Sequence, residues 1–254
     1  MSLTPPSHPP FTINQTTLPL PLKHLARCLA VILLTSTLAL AQQPQPRTTI
    51  LLDPAHGGPD TGAHLPNSLL EKDITLTFST RLRSTLAAAG FTVLSTRDAD
   101  PAVTFTTDQR AEIGNHAHPT ACLILHATSS GNGIHVVTSA LPENIEEPHA
   151  PTPWNTAQAA SIPQSLSLAN EIGLALQHSK LPVILSRVSL RPLDNLTCPA
   201  VAIEIAPFTP PGSDRILVSD ATYQQNIATA LGAALTSWRN RQIASAAPAP
   251  GAQK

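Results

Sequence analysis

Charge is scarce in this sequence, and neither sign dominates. Only 12% of the 254 residues are charged, and 15 lysines and arginines stand against 16 aspartates and glutamates. A protein that binds nucleic acid through its phosphates needs a basic surface, so this balance excludes nucleic acid as a main partner. The sequence also shows no internal repeat. Its length and its 42% hydrophobic content fit one medium-sized globular domain with flanking segments.

Cysteine is also scarce, with three residues in the chain, one of them in the N-terminal segment. The other two, Cys122 and Cys198, lie in or beside apolar segments. A small buried thiol is the simpler interpretation of such cysteines, and we favour it. A disulfide between the two is the alternative in an oxidising compartment.

The N-terminal segment has the order of an export signal. Basic residues, among them Lys23 and Arg27, precede the apolar run Cys28–Leu40, which ends in small residues suited to cleavage. This run is too short to span a bilayer comfortably. We therefore predict that residues 1–41 are a signal peptide, that residues 42–47 are a linker, and that the exported chain has no membrane span after cleavage. A short membrane anchor or a buried helix is the alternative.

Residues 48–241 alternate between short apolar segments and amphipathic ones, and we predict that they form the main domain. Apolar runs predict buried strands, and apolar residues that recur every four positions predict helices. The alternation predicts an α/β fold, a three-layer domain with a mainly parallel, mixed central sheet flanked by helices. The predicted strands are Thr48–Leu52, Phe91–Thr96, Ala121–Leu125, Ile134–Thr138 and Pro199–Ile205. The predicted helices are one that begins near Leu70, Asp108–Ala117 with Thr107 as N-cap, Leu166–His178 and Thr222–Arg241.

Two segments depart from this alternation. Residues 141–163 are rich in proline and acidic residues and predict a long surface loop. This insertion is a substrate clamp, a regulatory plug or an inert loop, and its Trp154 either stacks on a sugar or packs on the surface. Residues 242–254 are rich in alanine and proline and predict a disordered tail.

Four polar residues lie at ends of predicted elements, where ligands bind in sheets of this kind. They are His56, Glu71, His126 and Glu204. Two histidines and one carboxylate form a catalytic zinc site with a free fourth position, and a further carboxylate can transfer protons. This combination fits a zinc site at the carboxyl ends of the strands, but the spacing of the residues alone does not establish one.

Each of these residues also has a structural interpretation when it is taken alone. His56 beside two glycines suits a loop, Glu71 suits the dipole of a helix N-terminus, and His126 suits a hydrogen-bonded core histidine. Glu204 differs, because its neighbours in the strand are apolar and we expect it to be buried. A buried carboxylate is rare without a partner, which favours a functional role.

Several motifs in one order resemble a known family between about residue 48 and residue 238. The chain resembles the zinc-dependent N-acetylmuramoyl-L-alanine amidases typified by bacterial cell-separation and autolysin amidases. The matching segments are Ile50–Ala63, Glu71–Asp73, Gly90–Asp98, Gln109–Asn115, Leu123–Ala127, Leu190–Arg191, Pro199–Glu204 and Tyr223–Ala228.

This resemblance implies an enzyme that hydrolyses the amide bond between N-acetylmuramic acid and L-alanine in peptidoglycan, in the periplasm or cell wall. It implies that His56, Glu71 and His126 bind Zn²⁺ and that Glu204 is the general base and acid. Arg191 either binds a substrate carboxylate or stabilises its own loop. We expect a monomer, and the sequence leaves open whether a protein activator is needed.

The chain departs from the family pattern at three places. Ala55 replaces a usual glycine, which costs strain if the position needs positive φ. Thr128 replaces a usual asparagine, and residues 206–210 replace the usual pattern after the catalytic glutamate. These changes leave two alternatives open: a zinc peptidase that acts on wall peptides, and a catalytically idle wall-binding or regulatory domain.

Overall fold

The computed structural model describes residues 48–143 and 153–246, which form a six-stranded sheet with helices on both faces. This confirms the predicted three-layer α/β class. The strands are β1 (Thr49–Pro54), β2 (Thr92–Ser95), β3 (Ala121–Ala127), β4 (Ile134–Ser139), β5 (Val183–Val188) and β6 (Ala200–Ile205). The helices are α1 (Glu71–Ala88), α2 (Thr107–Ala117), α3 (Ile162–His178) and α4 (Ala221–Ala246). Short 3-10 helices cover Pro66–Ser68, Trp154–Ser161 and Leu193–Asn195.

The sheet is mainly parallel and mixed, with strand order β2-β1-β3-β6-β4-β5. Strands β2, β1, β3 and β6 are parallel, whereas β4 is antiparallel to β6 and parallel to β5. The carboxyl ends of β1, β3 and β6 therefore lie at the same edge as the amino end of β4. We call this edge the site edge.

The two faces of the sheet are covered unequally. The larger core lies on one face, where Leu52, Leu123 and Ile203 pack with residues of α1, α3 and α4. On the other face, a smaller core includes Ile124, Ala202, Ala111 of α2 and the segment around Leu193–Leu196. Because side chains alternate along a strand, His126 and Glu204 point to this second face, one pleat beyond Ile124 and Ala202. Both are only partly buried, so the second face is open near the site edge.

Strand β5 is an element that the sequence pattern did not predict. It forms one edge of the sheet, and several of its apolar side chains, Ile184 and Leu185 among them, are exposed. An edge strand has a neighbour on one side only, so its sequence shows neither a continuous buried run nor clean alternation. This explains why the segment was not identified.

Most element boundaries differ from the predicted ones by one or two residues, and three differences at helix ends have a clear structural cause or a larger size. Thr106, and not Thr107, is the N-cap of α2, where its side chain and that of Gln109 form a capping box. Helix α3 begins at Ile162, four residues before the predicted start at Leu166. Pro163 is compatible with this start, because backbone N–H groups in the first turn of a helix have no partner within the helix. Helix α4 continues to Ala246, five residues into the predicted tail.

The favoured interpretation of the two cysteines was wrong, because Cys122 and Cys198 form a disulfide. Their Cα atoms are 6.2 Å apart, inside the usual range for a disulfide. The bond joins β3 to the segment that directly precedes β6. Strand β3 supplies His126, and β6 supplies Glu204.

Part of the predicted surface loop 141–163 is ordered against the domain. The buried Gln158 donates hydrogen bonds to the carbonyl oxygens of Leu196 and Cys198 at 2.7 and 2.9 Å. Its side-chain oxygen accepts a hydrogen bond from Ser165. The predictions for residues 1–47, 144–152 and 247–254 fall outside the described residues. In the part of the chain that is described, no helix is long and apolar enough to cross a membrane.

Candidate metal centre

His56, Glu71 and His126 come together at the site edge. His56 Nε2 is 3.1 Å from Glu71 Oε2, and His126 Nδ1 is 2.9 Å from Glu71 Oε1. One potential ligand atom from each residue lies within 4.8 Å of the others. The three residues come from the turn after β1, the first residue of α1 and the end of β3.

Two buried arginines fix the turn that presents His56. Arg110 donates hydrogen bonds to Asp53 Oδ1 at 2.6 Å and to the carbonyl oxygens of Pro54 and His56 at 3.0 and 2.5 Å. Arg97 donates to the carbonyl oxygens of Pro54 and Ala55 at 2.9 and 3.1 Å. These bonds hold the backbone of the turn, in which His56 has a positive φ of 62°. The sequence motifs include both arginines, but only the folded chain shows that they act on this turn.

Ala55 does not need the conformational freedom of glycine. It is buried, and the positive φ values lie at the following residues, His56 and Gly57. The replacement of the usual glycine by Ala55 therefore introduces no backbone strain.

Glu71 is held by both of its carboxylate oxygens. Oε1 accepts a hydrogen bond from the backbone N–H of Ala127 at 3.1 Å, and Oε2 accepts one from Ala63 at 2.9 Å. Burial acts to raise the pKa of Glu71, but the contacts with His126 and His56 and the two amide bonds outweigh it and hold this pKa well below its usual range. Glu71 is therefore ionised at neutral pH, as a metal ligand must be.

His56 has a second carboxylate on its other nitrogen. Asp60 Oδ2 lies 2.9 Å from His56 Nδ1, and Asp60 Oδ1 accepts a hydrogen bond from the Gly62 amide. The contact with Glu71 raises the pKa of His56 against the effect of burial, and Asp60 adds to the increase. A carboxylate on the outer nitrogen of a ligating histidine fixes its ring, and sequence reasoning gave Asp60 no such role.

The space beside the side chains of His56 and Glu71 is free only because residue 62 is a glycine. Gly62 has a φ of +64°, and a Cβ there would lie 2.6 Å from His56 Cδ2 and 2.7 Å from Glu71 Oε2. Two imidazoles and one fixed carboxylate are the donor set of catalytic zinc sites. The donors and the glycine at position 62 therefore fit a zinc ion.

Glu204 lies beside this cluster and is not buried as expected. It is the register partner of His126 across β3 and β6, so both side chains point to the second face of the sheet. Its side chain is 38% exposed, and it lies one pleat beyond Ala202, the last residue of β6 that belongs to the smaller core. A carboxylate in this position can reach both water and a bound substrate.

His135 is a residue of this region that sequence reasoning missed. It is the register partner of Glu204 across β6 and β4, and its Nδ1 is 4.0 Å from Glu204 Oε1. A polar residue between Ile134 and Val136, both fully buried, was the available signal. The strand was predicted correctly, but its reversed direction was not, and that direction places His135 at the site edge.

Arg191 is paired with a residue of α2. Its Nη1 lies 3.9 Å from Asp108 Oδ1, and the indole N–H of Trp154 donates to the same oxygen at 3.1 Å. Since β5 runs antiparallel to β6, the segment that contains Arg191 leaves the sheet at the end opposite the site edge. Trp154 is 44% exposed and lies in a 3-10 helix.

The chain is similar to known amidases in sequence and in fold. A family model described as N-acetylmuramoyl-L-alanine amidase matches residues 50–237. The germination-specific N-acetylmuramoyl-L-alanine amidase of Bacillus subtilis (strain 168) is 51% identical over 51 residues, which are 20% of this chain and 21% of that relative. The match thus spans about a fifth of the length of that curated relative.

Solved structures of amidases share the fold. The N-acetylmuramyl-L-alanine amidase Ami1 from Mycobacterium smegmatis matches with a TM-score of 0.61 and 20% identity, over 77% of this chain and 98% of that chain. The CwlD amidase from Clostridioides difficile, solved in complex with the GerS lipoprotein, matches with a TM-score of 0.59 and 19% identity, over 77% and 100%. At these identities, the likeness establishes the fold alone.

Proposed function

Because the chain belongs to the N-acetylmuramoyl-L-alanine amidase family, we propose that it hydrolyses the amide bond between N-acetylmuramic acid and L-alanine in peptidoglycan. The observation that most directly supports this activity is the convergence of His56, Glu71 and His126 beside Glu204. The three clustered residues would hold a Zn²⁺ ion. The proposed catalytic domain spans residues 48–241.

Zinc would supply Lewis acidity, which polarises the amide carbonyl and makes water a stronger acid. The protein residues prepare the site for it. Glu71 is kept anionic by its contacts with His126 and His56 and, in addition, by its two amide hydrogen bonds. Asp60 keeps the ring of His56 in one orientation. The buried arginines hold the backbone of the His56 turn, so the three donors are positioned before a ligand binds.

Glu204 would transfer the protons. Its partly exposed carboxylate lies next to His126 on the same face, where it accepts a proton from the attacking water. The same carboxylate then donates that proton to the alanine nitrogen as the amide bond breaks. One group can perform both steps because the water and the nitrogen occupy neighbouring positions on the carbonyl carbon.

We further propose that the chain is exported to the periplasm or cell wall. The disulfide between Cys122 and Cys198 supports export, because such bonds persist in oxidising compartments. We also propose that the chain is a monomer and that peptidoglycan is its substrate. A lipoprotein is bound to one amidase of the same fold, and we propose only that a protein activator is possible here too.

We propose that Arg191 stabilises its own loop and does not bind substrate. Its contact with Asp108, which Trp154 shares, links the loop after β5 to the start of α2.

The experiment that tests the activity is digestion of purified peptidoglycan by the chain from Gln42, with and without a zinc chelator, followed by mass analysis of the products. Intact stem peptides with free L-alanine amino termini, released only in the absence of chelator, are the expected result. Shortened peptides would identify a peptidase instead. No release by a protein that contains zinc would contradict the proposal as stated and favour an idle domain or one that needs an activator.

A further inference from the structure

A row of partly exposed side chains crosses the sheet on its second face, starting at the metal cluster. Register pairing aligns His126 with Glu204, Glu204 with His135, and His135 with Ile184. The row therefore runs over β3, β6, β4 and β5. Register partners on adjacent strands point to the same face, so these four side chains share one surface. We call this surface the strand-end row.

Glu204 divides the strand-end row into two sides. The metal donor His126 lies on one side, and His135 and Ile184 lie on the other. The amide carbonyl must approach the metal cluster, whereas the alanine nitrogen must approach the group that protonates it, which is Glu204. The part of the substrate that leaves with the nitrogen therefore extends away from His126 and over His135.

His135 and Ile184 offer the contacts that a peptide needs. The imidazole of His135 is partly exposed beside Glu204 and can hydrogen-bond a peptide carbonyl or carboxylate. Ile184 is 54% exposed, although it lies in a strand, and presents an apolar surface. Adjacent strands lie roughly 4.8 Å apart, so Ile184 is roughly 10 Å from Glu204 along the row. That distance is the length of about three extended peptide residues.

Resting on the proposed amidase activity, we propose that the stem peptide runs from Glu204 over His135 and Ile184 toward β5, and that these two residues bind it. His135 contacts the first residues of the stem, next to the scissile amide. Ile184 contacts the stem about two residues further on. The two residues thus set the preference for the peptide part of the substrate.

The matched control for Ile184 is its neighbour in the strand. Leu185 is 50% exposed, close to the exposure of Ile184, but it points to the opposite face, where it packs beside Gly173 of α3. Truncation of either side chain removes a similar apolar group from the same edge strand. Only Ile184 lies on the strand-end row.

The test compares the full exported chain with the variants Ile184→Ala, Leu185→Ala and His135→Ala on two soluble substrates, N-acetylmuramoyl dipeptide and N-acetylmuramoyl tetrapeptide. Ile184→Ala should lower kcat/KM about tenfold on the tetrapeptide and leave the dipeptide unchanged. Leu185→Ala should change neither. His135→Ala should raise KM on both substrates about tenfold, with bound zinc and Tm as in the parent chain.

Two results would overturn this inference while the proposed activity stands. One is an active parent chain together with Ile184→Ala and Leu185→Ala variants that have the same ratio of kcat/KM on the tetrapeptide to kcat/KM on the dipeptide. The other is a His135→Ala variant that loses zinc or thermal stability in proportion to its activity, since that result assigns His135 a structural role. A zinc-loaded parent chain that cleaves neither substrate would overturn the proposed activity and this inference together.

Discussion

The metal cluster leaves no room for a side chain at position 62, which is occupied by Gly62. A methyl group there would contact His56 Cδ2 and Glu71 Oε2 at distances that real side chains do not show. We expect Gly62→Ala to displace these two donors and to weaken zinc binding on the order of tenfold or more. Zinc affinity measured by competition with a chromogenic chelator checks this prediction.

Gly212→Ala provides the control for Gly62→Ala. Gly212 has a φ of +71°, close to that of Gly62, but its Cβ would meet nothing within 4 Å. Both variants therefore strain the backbone equally, and only one of them disturbs the donors. Equal zinc affinities in the two variants would show that the position of Gly62 is unimportant for the metal.

Glu204→Gln should separate proton transfer from metal binding. The amide keeps the size of the side chain and its place on the second face, but it cannot accept the proton of the attacking water. We expect turnover to fall roughly a hundredfold to ten-thousandfold while bound zinc is unchanged. Product release from peptidoglycan and metal content of the same sample measure both quantities.

The control for Glu204→Gln is Glu112→Gln on the exposed surface of α2, which should behave as the parent chain. If the Glu204 variant loses zinc together with activity, the carboxylate holds metal and is not the proton-transfer group.

At the residue scale, the sequence predicted the cluster through its motifs, and the structure brings His56, Glu71 and His126 together. The sequence did not predict the roles of Asp60 or His135. Asp60 acts through a contact with the outer nitrogen of His56, and His135 depends on the direction of β4. Contacts of this kind arise from the arrangement of strands, which no local pattern encodes.

At the scale of elements, the disulfide fixes β3 to the segment before β6. It closes a sequence separation of 76 residues, so it removes much freedom from the unfolded chain. We expect the double variant Cys122→Ser and Cys198→Ser to lose roughly 4 kcal/mol of unfolding free energy, on the chain-entropy estimate. Denaturant unfolding of the variant and the parent chain measures the difference.

The parent chain treated with reductant is the control for the serine variants, because it removes the bond without changing a side chain. We expect its midpoint to move in the same direction as that of the double variant. Unchanged midpoints in both samples would contradict a stabilising role of the disulfide.

The elements that the sequence predicted are those with a continuous apolar run, such as β1 and β3, or with a clear four-residue period, such as α1. Strand β5 was missed because an exposed edge strand lacks both continuous burial and strict alternation. The ordered helix Trp154–Ser161 was missed because Gln158 anchors it through the carbonyl oxygens of Leu196 and Cys198, distant in sequence. Polar anchors of this kind look like surface loop residues until their partners are known.

At the scale of the whole molecule, the cluster links stability to pH in the metal-free chain. The raised pKa of His56 stabilises the fold below the ordinary histidine pKa of about 6.5, and this contribution is lost as pH rises through the raised value. The lowered pKa of Glu71 stabilises the fold above the ordinary glutamate pKa of about 4.3, and this contribution is lost as pH falls. The contribution of the pair is therefore largest between these two values.

We expect the difference in Tm between the chelator-treated chain and a chelator-treated His56→Gln variant to be largest in that interval. Saturating zinc should move the maximum to higher pH, because the metal requires neutral histidine ligands. Thermal unfolding between pH 4 and 8 measures both curves. His116→Gln on the exposed surface is the control, and a difference curve like that of His56→Gln would contradict the role of the cluster.

The mixed sheet also has a consequence for how such a chain can diverge over generations. The three proposed zinc ligands lie between residues 56 and 126, whereas the proposed proton-transfer carboxylate of Glu204 comes from β6, which follows the reversed strands. Mutations in the last part of the chain can therefore abolish chemistry and spare the donors. If the proposed activity holds, one substitution at Glu204 would end catalysis and leave the proposed metal ligands and the fold in place, and selection would then act on the chain only as a receptor for peptidoglycan.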